Sequence, residues 1–533
     1  MTANACKPQR ALSTLTCTVT LLGDSKMTGL RHGLLISTGS ATVIITLLIF
    51  ANDWIPWLYE AHAPTPRYAA PSNLAEAQRD DLDYLRHFTR LDRSYTPGTR
   101  DAAIAAIDAT LRRRLPLSPA QFQLQIARVL ALADNGHTNV RGGSTANRFN
   151  RLPLRLYRFA DGIFVVRALP PAARLLGARL LAIDGIPVDT VAAQLAGYTG
   201  GSQSEKNARL PFYLESPELL HAAGLALSPE HITVRALIAS GALESFVVTA
   251  LPADPSAPKR WPSEELEPVS LPAEDPRWTP ALRGKAESVP LFANAPHPFY
   301  AGWLAGSSIY YVRFDINHDD GATSIRAFAT RTLKALCALQ PQTIVVDLRL
   351  NGGGDYTNTA DFMRSLPARL PAAVIYVLLS QETFSAGMTD AAFLKQAGGE
   401  RVIFVGDLPG DRMRFYSEGS DFCLPYSGIC VTANTAIHDY STRDCRPLLE
   451  CYLLDRLYPV AISSFAPDVP APLTYSALAQ GHDPALDVIV GIGPTPTCVD
   501  LKIERGEDLL ASGASLHYAS PPFAVRRPSM PAQ

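Results

Sequence analysis

The second half of the chain alternates short apolar runs with helix-period segments, and this alternation constrains the fold more than any other feature. SSIYYVRFDI at 307–316 is followed by TSIRAFATRTLKALCAL at 323–339, TIVVDLRL at 343–350, AAVIYVLLS at 372–380, SAGMTDAAFLKQAG at 385–398 and RVIFVG at 401–406. Apolar, β-branched runs with little polar interruption fit buried strands, and their alternation with helices argues a layered α/β arrangement. A layered α/β core over 299–519 is expected.

Upstream the pattern changes twice. LAEAQRDDLDYLRHFTRL, TRDAAIAAIDATLRRRL and SPAQFQLQIARVLALAD space apolar residues three and four apart, which predicts a helical region over 73–150. Ser118 before Pro119 reads as the cap and first-turn proline of the third helix, which delivers the chain to the turn-rich Asp134-Asn135-Gly136-His137-Thr138. From 153 to 251, DGIFVVRAL, ARLLAIDGIPV, HITVRALI and ESFVVTAL read as strands. A strand ending in Ile183-Asp184-Gly185 before Pro187-Val188 resembles the PDZ module, in which a peptide adds itself as an extra strand, and an ordinary hairpin reads the same way. The 11 prolines of 252–298 exclude a regular helix or central strand, leaving a linker or a wrapped extended arm. Residues 520–533 read as a flexible tail.

Residues 33–51, GLLISTGSATVIITLLIFA, carry no charge, and about 20 such residues cross a hydrocarbon core. Lys7, Arg10, Lys26 and Arg31 precede the run and Asp53 and Glu60 follow it, so residues 1–32 are expected in the cytoplasm and the rest outside, in the periplasm or beyond the cell. A cleaved signal peptide is the rival, since Ala61-His62-Ala63 has the small-x-small pattern, but Pro64 and the length of the run favour an uncleaved anchor. Met27 is an alternative start. Cys423, Cys430, Cys445 and Cys451 then fall in an oxidising compartment, where disulfides in any of three pairings are the natural reading. Zinc is the competing one, disfavoured because no CxxC occurs and the nearby histidine is His438 alone. Cys337, in a helical pattern, is expected to be a buried thiol. With 48 basic against 50 acidic side chains and no basic run, the chain lacks the electrostatic footprint of a nucleic-acid binder. No cofactor is called for.

Three places carry chemistry. Leu348-Arg349-Leu350-Asn351-Gly352-Gly353-Gly354 follows a buried strand, and glycines let backbone amides approach a substrate oxygen, so this loop is an oxyanion-hole candidate, with a plain tight turn as the bland alternative. No Gly-Lys-Ser/Thr follows, which disfavours a phosphate loop. Ser385, in Thr383-Phe384-Ser385-Ala386-Gly387, lies between a strand and a helix, where the positive helix end and the Ala386 amide favour developing negative charge. A plain helix cap is the bland alternative. His137 is a candidate base for the serine proton.

Together, "LADNGHT", "VVDLRLNGGG", "ETFSAG" and "FAPDVPAPLT...GHDPALD" resemble the tail-specific, or C-terminal-processing, serine protease family, closest to its tricorn-core-like branch, over about residues 73–495. The resemblance implies a ClpP/crotonase-like catalytic core with an N-terminal helical region and an inserted PDZ-like module. It also implies Ser385 as nucleophile, His137 as base, and Gly352, Gly353 and Ala386 as the oxyanion region. The processing proteases place a lysine in a "G..T.GK" stretch about 25 residues past the serine; here Gly406-Asp407-Leu408-Pro409-Gly410-Asp411 holds none, and Lys395 belongs to the preceding helix. The serine–histidine version is therefore expected, with Asp439 or Asp444 as the residue orienting His137. The function expected is a membrane-anchored serine endopeptidase acting on peptides or unfolded segments. A binding protein on the same scaffold is the alternative, and an esterase a weaker one, because no G-x-S-x-G occurs.

Overall fold

Helix formation starts where a polar side chain closes the first turn. Asn73, Thr96 and Ser118 accept from the amides of Glu76, Thr99 and Gln121 at the starts of helices Leu74–Leu91, Pro97–Leu111 and Pro119–Ala131. Ser118 and Gln121 form a reciprocal capping box with Pro119 in the first turn, as the sequence predicts. The computed structural model describes residues 58–492 except 114, 141–146, 286–287 and 322. Two compact units divide between Leu58 and Tyr59, and every element below belongs to the second. The predicted span 33–51 and tail 520–533 lie outside the described residues; among those described, no helix is long and apolar enough to cross a membrane.

The β module is an antiparallel sheet of β1 (Leu154–Phe159), β2 (Gly162–Ala168), β3 (Arg179–Ile183), β4 (Ile186–Pro187), β5 (His231–Leu237), β6 (Leu243–Thr249) and β7 (Thr279–Pro280). It runs β1-β2-β3-β5-β6, with β4 on β3 and β7 on β2. Asp184 and Gly185, both at positive φ, turn β3 into β4. Strand β7 belongs to the proline-rich segment, which is a wrapped arm. Fully buried Arg167 of β2 donates to the Glu267 and Val269 carbonyls and pairs with Glu274, and Leu266, Leu282, Leu291 and Phe292 pack on Tyr157, Phe159 and Leu350.

The layered α/β core is present. Strands β8 (Phe299–Trp303), β9 (Ile309–Phe314), β10 (Thr343–Asp347), β11 (Val374–Leu379) and β12 (Val402–Gly406) lie side by side in sequence order, parallel except β8. A hairpin of β13 (Arg414–Cys423) and β14 (Cys430–Asp439) follows, its ends joined by the Cys423–Cys430 disulfide; Cys445–Cys451 is the second bridge. Strand β15 (Val469–Pro470) then extends the core sheet beside β12. Residues of helices Ile325–Leu339, Ala360–Arg369 and Ala386–Gly398 cluster with Val312, Ile344 and Val377, whereas Tyr311, Val345 and Tyr376 cluster with Ala485 and Ile489 of Pro484–Ile492. Every β10 and β11 residue but Val374 is buried, as the near-continuous apolar runs require. Cys337 is partly buried, and less enclosed than expected.

Since β10 and β11 are parallel, the loops at 348–354 and 380–385 leave the same edge of the sheet. A crevice outside the carboxyl ends of parallel strands is where an open α/β sheet holds its ligands. The hairpin β13–β14 brings the helical region to this edge, because Phe422 and Val431 share a core with Leu85, Phe88 and Ile126.

Candidate active site

The strand end is held by a buried ion network. Arg349 donates through Nε and Nη2 to Asp347 and forks through Nη1 and Nη2 onto Asp483 at 2.8 and 2.7 Å, and all three are buried. The Tyr311 hydroxyl donates to Asp347 at 2.6 Å. Burial opposes the charge on Asp347, yet the Arg349 guanidinium outweighs it and holds the carboxyl below its usual range. This joins "VVDLRL" to "GHDPALD" in space and keeps the following loop at one height.

Ser385 stands at the cap position of its helix, but its side chain does not cap it. It precedes helix Ala386–Gly398 with φ 51° and ψ −120°, and its side chain makes no capping hydrogen bond. A non-glycine residue held there stores strain, typical of functional turns. Thr383 Oγ1 donates to the Leu348 carbonyl at 2.8 Å, and Phe384 N–H to the Asn351 carbonyl at 2.9 Å, so the turn is tied to the glycine loop. Gly353, at φ 106°, allows the approach: a Cβ there would stand 2.8 Å from Ser385 Cβ.

His137 reaches the site on a pinned turn. Asn135 exchanges two hydrogen bonds with the Tyr416 backbone, both 2.9 Å, while Thr138 donates to buried Asp92 and accepts from Asn434. The imidazole is stacked between Phe384, centroids 4.3 Å apart, and Phe415, at 4.9 Å. Phe384 is the residue before Ser385, so the imidazole packs on the turn that carries the serine. No hydrogen bond joins them, and among the described residues neither ring nitrogen of His137 has a hydrogen-bond partner. The group facing the ring is Asp411, whose Oδ2 stands 3.4 Å from Nδ1 and whose side chain is 1% exposed. That carboxylate also accepts the Arg412 amide through Oδ1, leaving Oδ2 for the imidazole.

Two expectations are corrected. Asp439 and Asp444 do not orient His137: Asp439 accepts from Ser441 and pairs with Arg414, and Asp444 pairs with Arg446. The carboxylate at the ring comes instead from the stretch where the resembled family carries its lysine. Of the three oxyanion candidates, Gly352 N–H donates to the Asp315 carbonyl and Gly353 N–H to Asn351 Oδ1, so both are engaged. Ala386 N–H, the first amide of its helix, has no carbonyl one turn below to receive it. Asp411 had a signal in the sequence, though a quiet one. A Cβ on Gly136 would meet Asp411 Oδ2 at 2.6 Å, and one on Gly410 would meet the Phe384 ring at 2.8 Å, so glycines mark both sides of the contact.

No protein-family model and no curated protein matches the chain. Among solved structures, mature CPAF complexed with lactacystin is similar at 12% identity and TM-score 0.49, covering 81% of this chain and 100% of that one. The photosystem II D1 C-terminal processing protease is similar at 14% identity and TM-score 0.34, covering 78% and 99%. Both likenesses are loose, so the chemistry has to be read from this chain's own residues.

Proposed function

We propose that the protein is a serine endopeptidase that cleaves peptides or unfolded protein segments through an acyl-enzyme. The observation that carries this reading is Ser385 itself: a strained, uncapped serine at the start of a buried helix, against Gly353, with His137 packed on its turn and buried Asp411 facing the imidazole. Ser385 Oγ attacks the scissile carbonyl carbon while His137 Nε2 takes its proton. Asp411 holds Nδ1–H and steadies the imidazolium. The Ala386 amide and the helix N-terminus take up the charge on the oxyanion, a donor worth about 3 to 4 kcal/mol in such sites. Collapse breaks the C–N bond and passes the proton to the leaving amine, and water repeats the cycle on the acyl-serine. The reading requires the hydrogen bond from Ser385 to His137 to form when substrate binds, a tightening often seen on passing from free enzyme to complex.

The uncharged run at 33–51 and the two disulfides support an anchored, exported enzyme. Its β module is proposed to be PDZ-like. A lapsed, binding-only protein is the second reading, favoured by the missing serine–histidine hydrogen bond. An active-site fluorophosphonate separates the two: it is expected to label the wild type and not Ser385→Ala, and equal labelling of both, or of neither, removes the peptidase.

A further inference from the structure

The wall behind Gly352, Gly353 and Phe384 opens into a cavity of about 520 Å³ between the core and the proline-rich arm. Six carboxylates line it, among them Glu267, Glu382 and Asp315, against Arg209, Lys259 and Arg260. The cations are largely committed. Arg209 Nε donates to Glu205 at 2.6 Å with its guanidinium 4.2 Å over Trp261, Arg260 donates to the Pro272 carbonyl, and Lys259 is exposed.

Three carboxylate oxygens are left over. Among the described residues, Glu267 Oε2, Glu382 Oε1 and Asp315 Oδ1 are buried without a hydrogen-bond partner, and Glu267 and Glu382 are only 8% and 9% exposed. Arg313, the cation against Asp315, holds its other oxygen at 3.1 Å and is itself fully buried. Each of these carboxylates has a partial partner but keeps one buried oxygen unbonded, which is costly, and six carboxylates against cations already committed point to a cation that arrives with a ligand. Burial pushes Glu382 and Asp315 up to about 8 and raises Glu267 as well, the behaviour of acids held without a sufficient counter-charge.

We propose that this cavity is a specificity subsite that takes a lysine or arginine side chain of the peptide beside the scissile bond. Its position follows from Gly353, which lines the cavity and leaves no room for a side chain against Ser385. Glu382 and Glu267 are the specificity-determining residues, and the stem of the basic side chain lies along Phe384 and Leu350. The inference rests on the peptidase reading for its substrate, but the cavity can be tested without turnover.

Digestion of a peptide library by the full-length chain is expected to show basic residues enriched at one position flanking the cut. Glu382→Gln and, separately, Glu267→Gln are expected to lower kcat/KM for lysine and arginine peptides at least about tenfold while leucine peptides stay within about twofold. Fluorophosphonate labelling of each variant reports an intact Ser385 site, and a thermal melt reports folding. In the Ser385→Ala chain, N-acetyl-arginine amide is expected to bind and N-acetyl-leucine amide not to compete, with binding weakened by Glu382→Gln. No basic preference in the wild type, or an equal loss on all peptides in labelled, folded variants, overturns the subsite. Failure of labelling with arginine amide still bound removes the peptidase and leaves a cation-binding cavity; arginine amide failing to bind removes the subsite.

Discussion

His137 Nδ1 stands 3.4 Å from Asp411 Oδ2, and the space that lets it do so is the missing side chain of Gly136. In the proposed peptidase this contact directs Nδ1 to the carboxylate. With Nδ1 toward the carboxylate, Nε2 is the one left for a serine proton. Asp411→Asn is therefore expected to lower kcat by at least about a hundredfold with little change in melting temperature, since an amide can hold the wrong tautomer. Asp439→Asn, measured beside it in a peptide-hydrolysis assay, is expected to keep kcat within about twofold per folded molecule; the reverse ranking would return the orienting role to β14.

Backbone strain at Ser385 makes a prediction about stability. Its hydroxyl caps nothing, so Ser385→Ala should cost well under the roughly 1 kcal/mol of an ordinary cap loss. At φ 51° and ψ −120° a glycine is relaxed where serine is not, and Ser385→Gly is expected to raise the unfolding free energy by about 1 kcal/mol in urea titrations. Both variants should lose hydrolysis. A destabilised glycine variant would mean that the turn is not strained.

Gly353 and Gly352 adjoin in sequence but are expected to part company in assays. A Cβ on Gly353 would sit 2.8 Å from Ser385 Cβ at φ 106°, whereas Gly352 has nothing within 4 Å. Gly353→Ala is expected to destabilise by about 1 to 3 kcal/mol and to reduce kcat/KM sharply, Gly352→Ala to do neither beyond about twofold. Steady-state kinetics with a melt on the same samples checks both.

His438, behind Phe415 in the same stack, contributes the part of the pH dependence that lies above about pH 8, where Glu382 and Asp315 have already titrated. Burial alone would lower its pKa, but Asp455 at 3.1 Å and Glu418 at 3.5 Å overcome that and push it up to about 10. A pKa raised above the ordinary 6.5 gives stability that is full below that value and is lost as pH rises through the folded value. Unfolding free energy is expected to fall between about pH 6.5 and 10. His438→Gln should be less stable at and below about pH 6.5, lose that deficit as pH rises toward 10, and be flatter above about pH 8, where an unchanged slope would place the titration elsewhere.

Local chemistry made much of this fold legible from the chain alone. Three-and-four spacing and the Ser118 cap mark the helices, uninterrupted apolar runs mark β10 and β11, and glycines after β10 mark a loop that must let another backbone come close. These are properties of neighbours in sequence. What the chain alone left open is what loops far apart in sequence do when they meet. The three possible cysteine pairings collapse to Cys423–Cys430 and Cys445–Cys451 only when hairpin and loop are folded. Asp411 faces His137 because the helical region docks on β13 and β14, and Glu382, Glu267 and Asp315 share a cavity because the proline-rich arm wraps back over the core. Burial and encounter set the ionisation and partners of a carboxylate, and neither is encoded within a few residues of it.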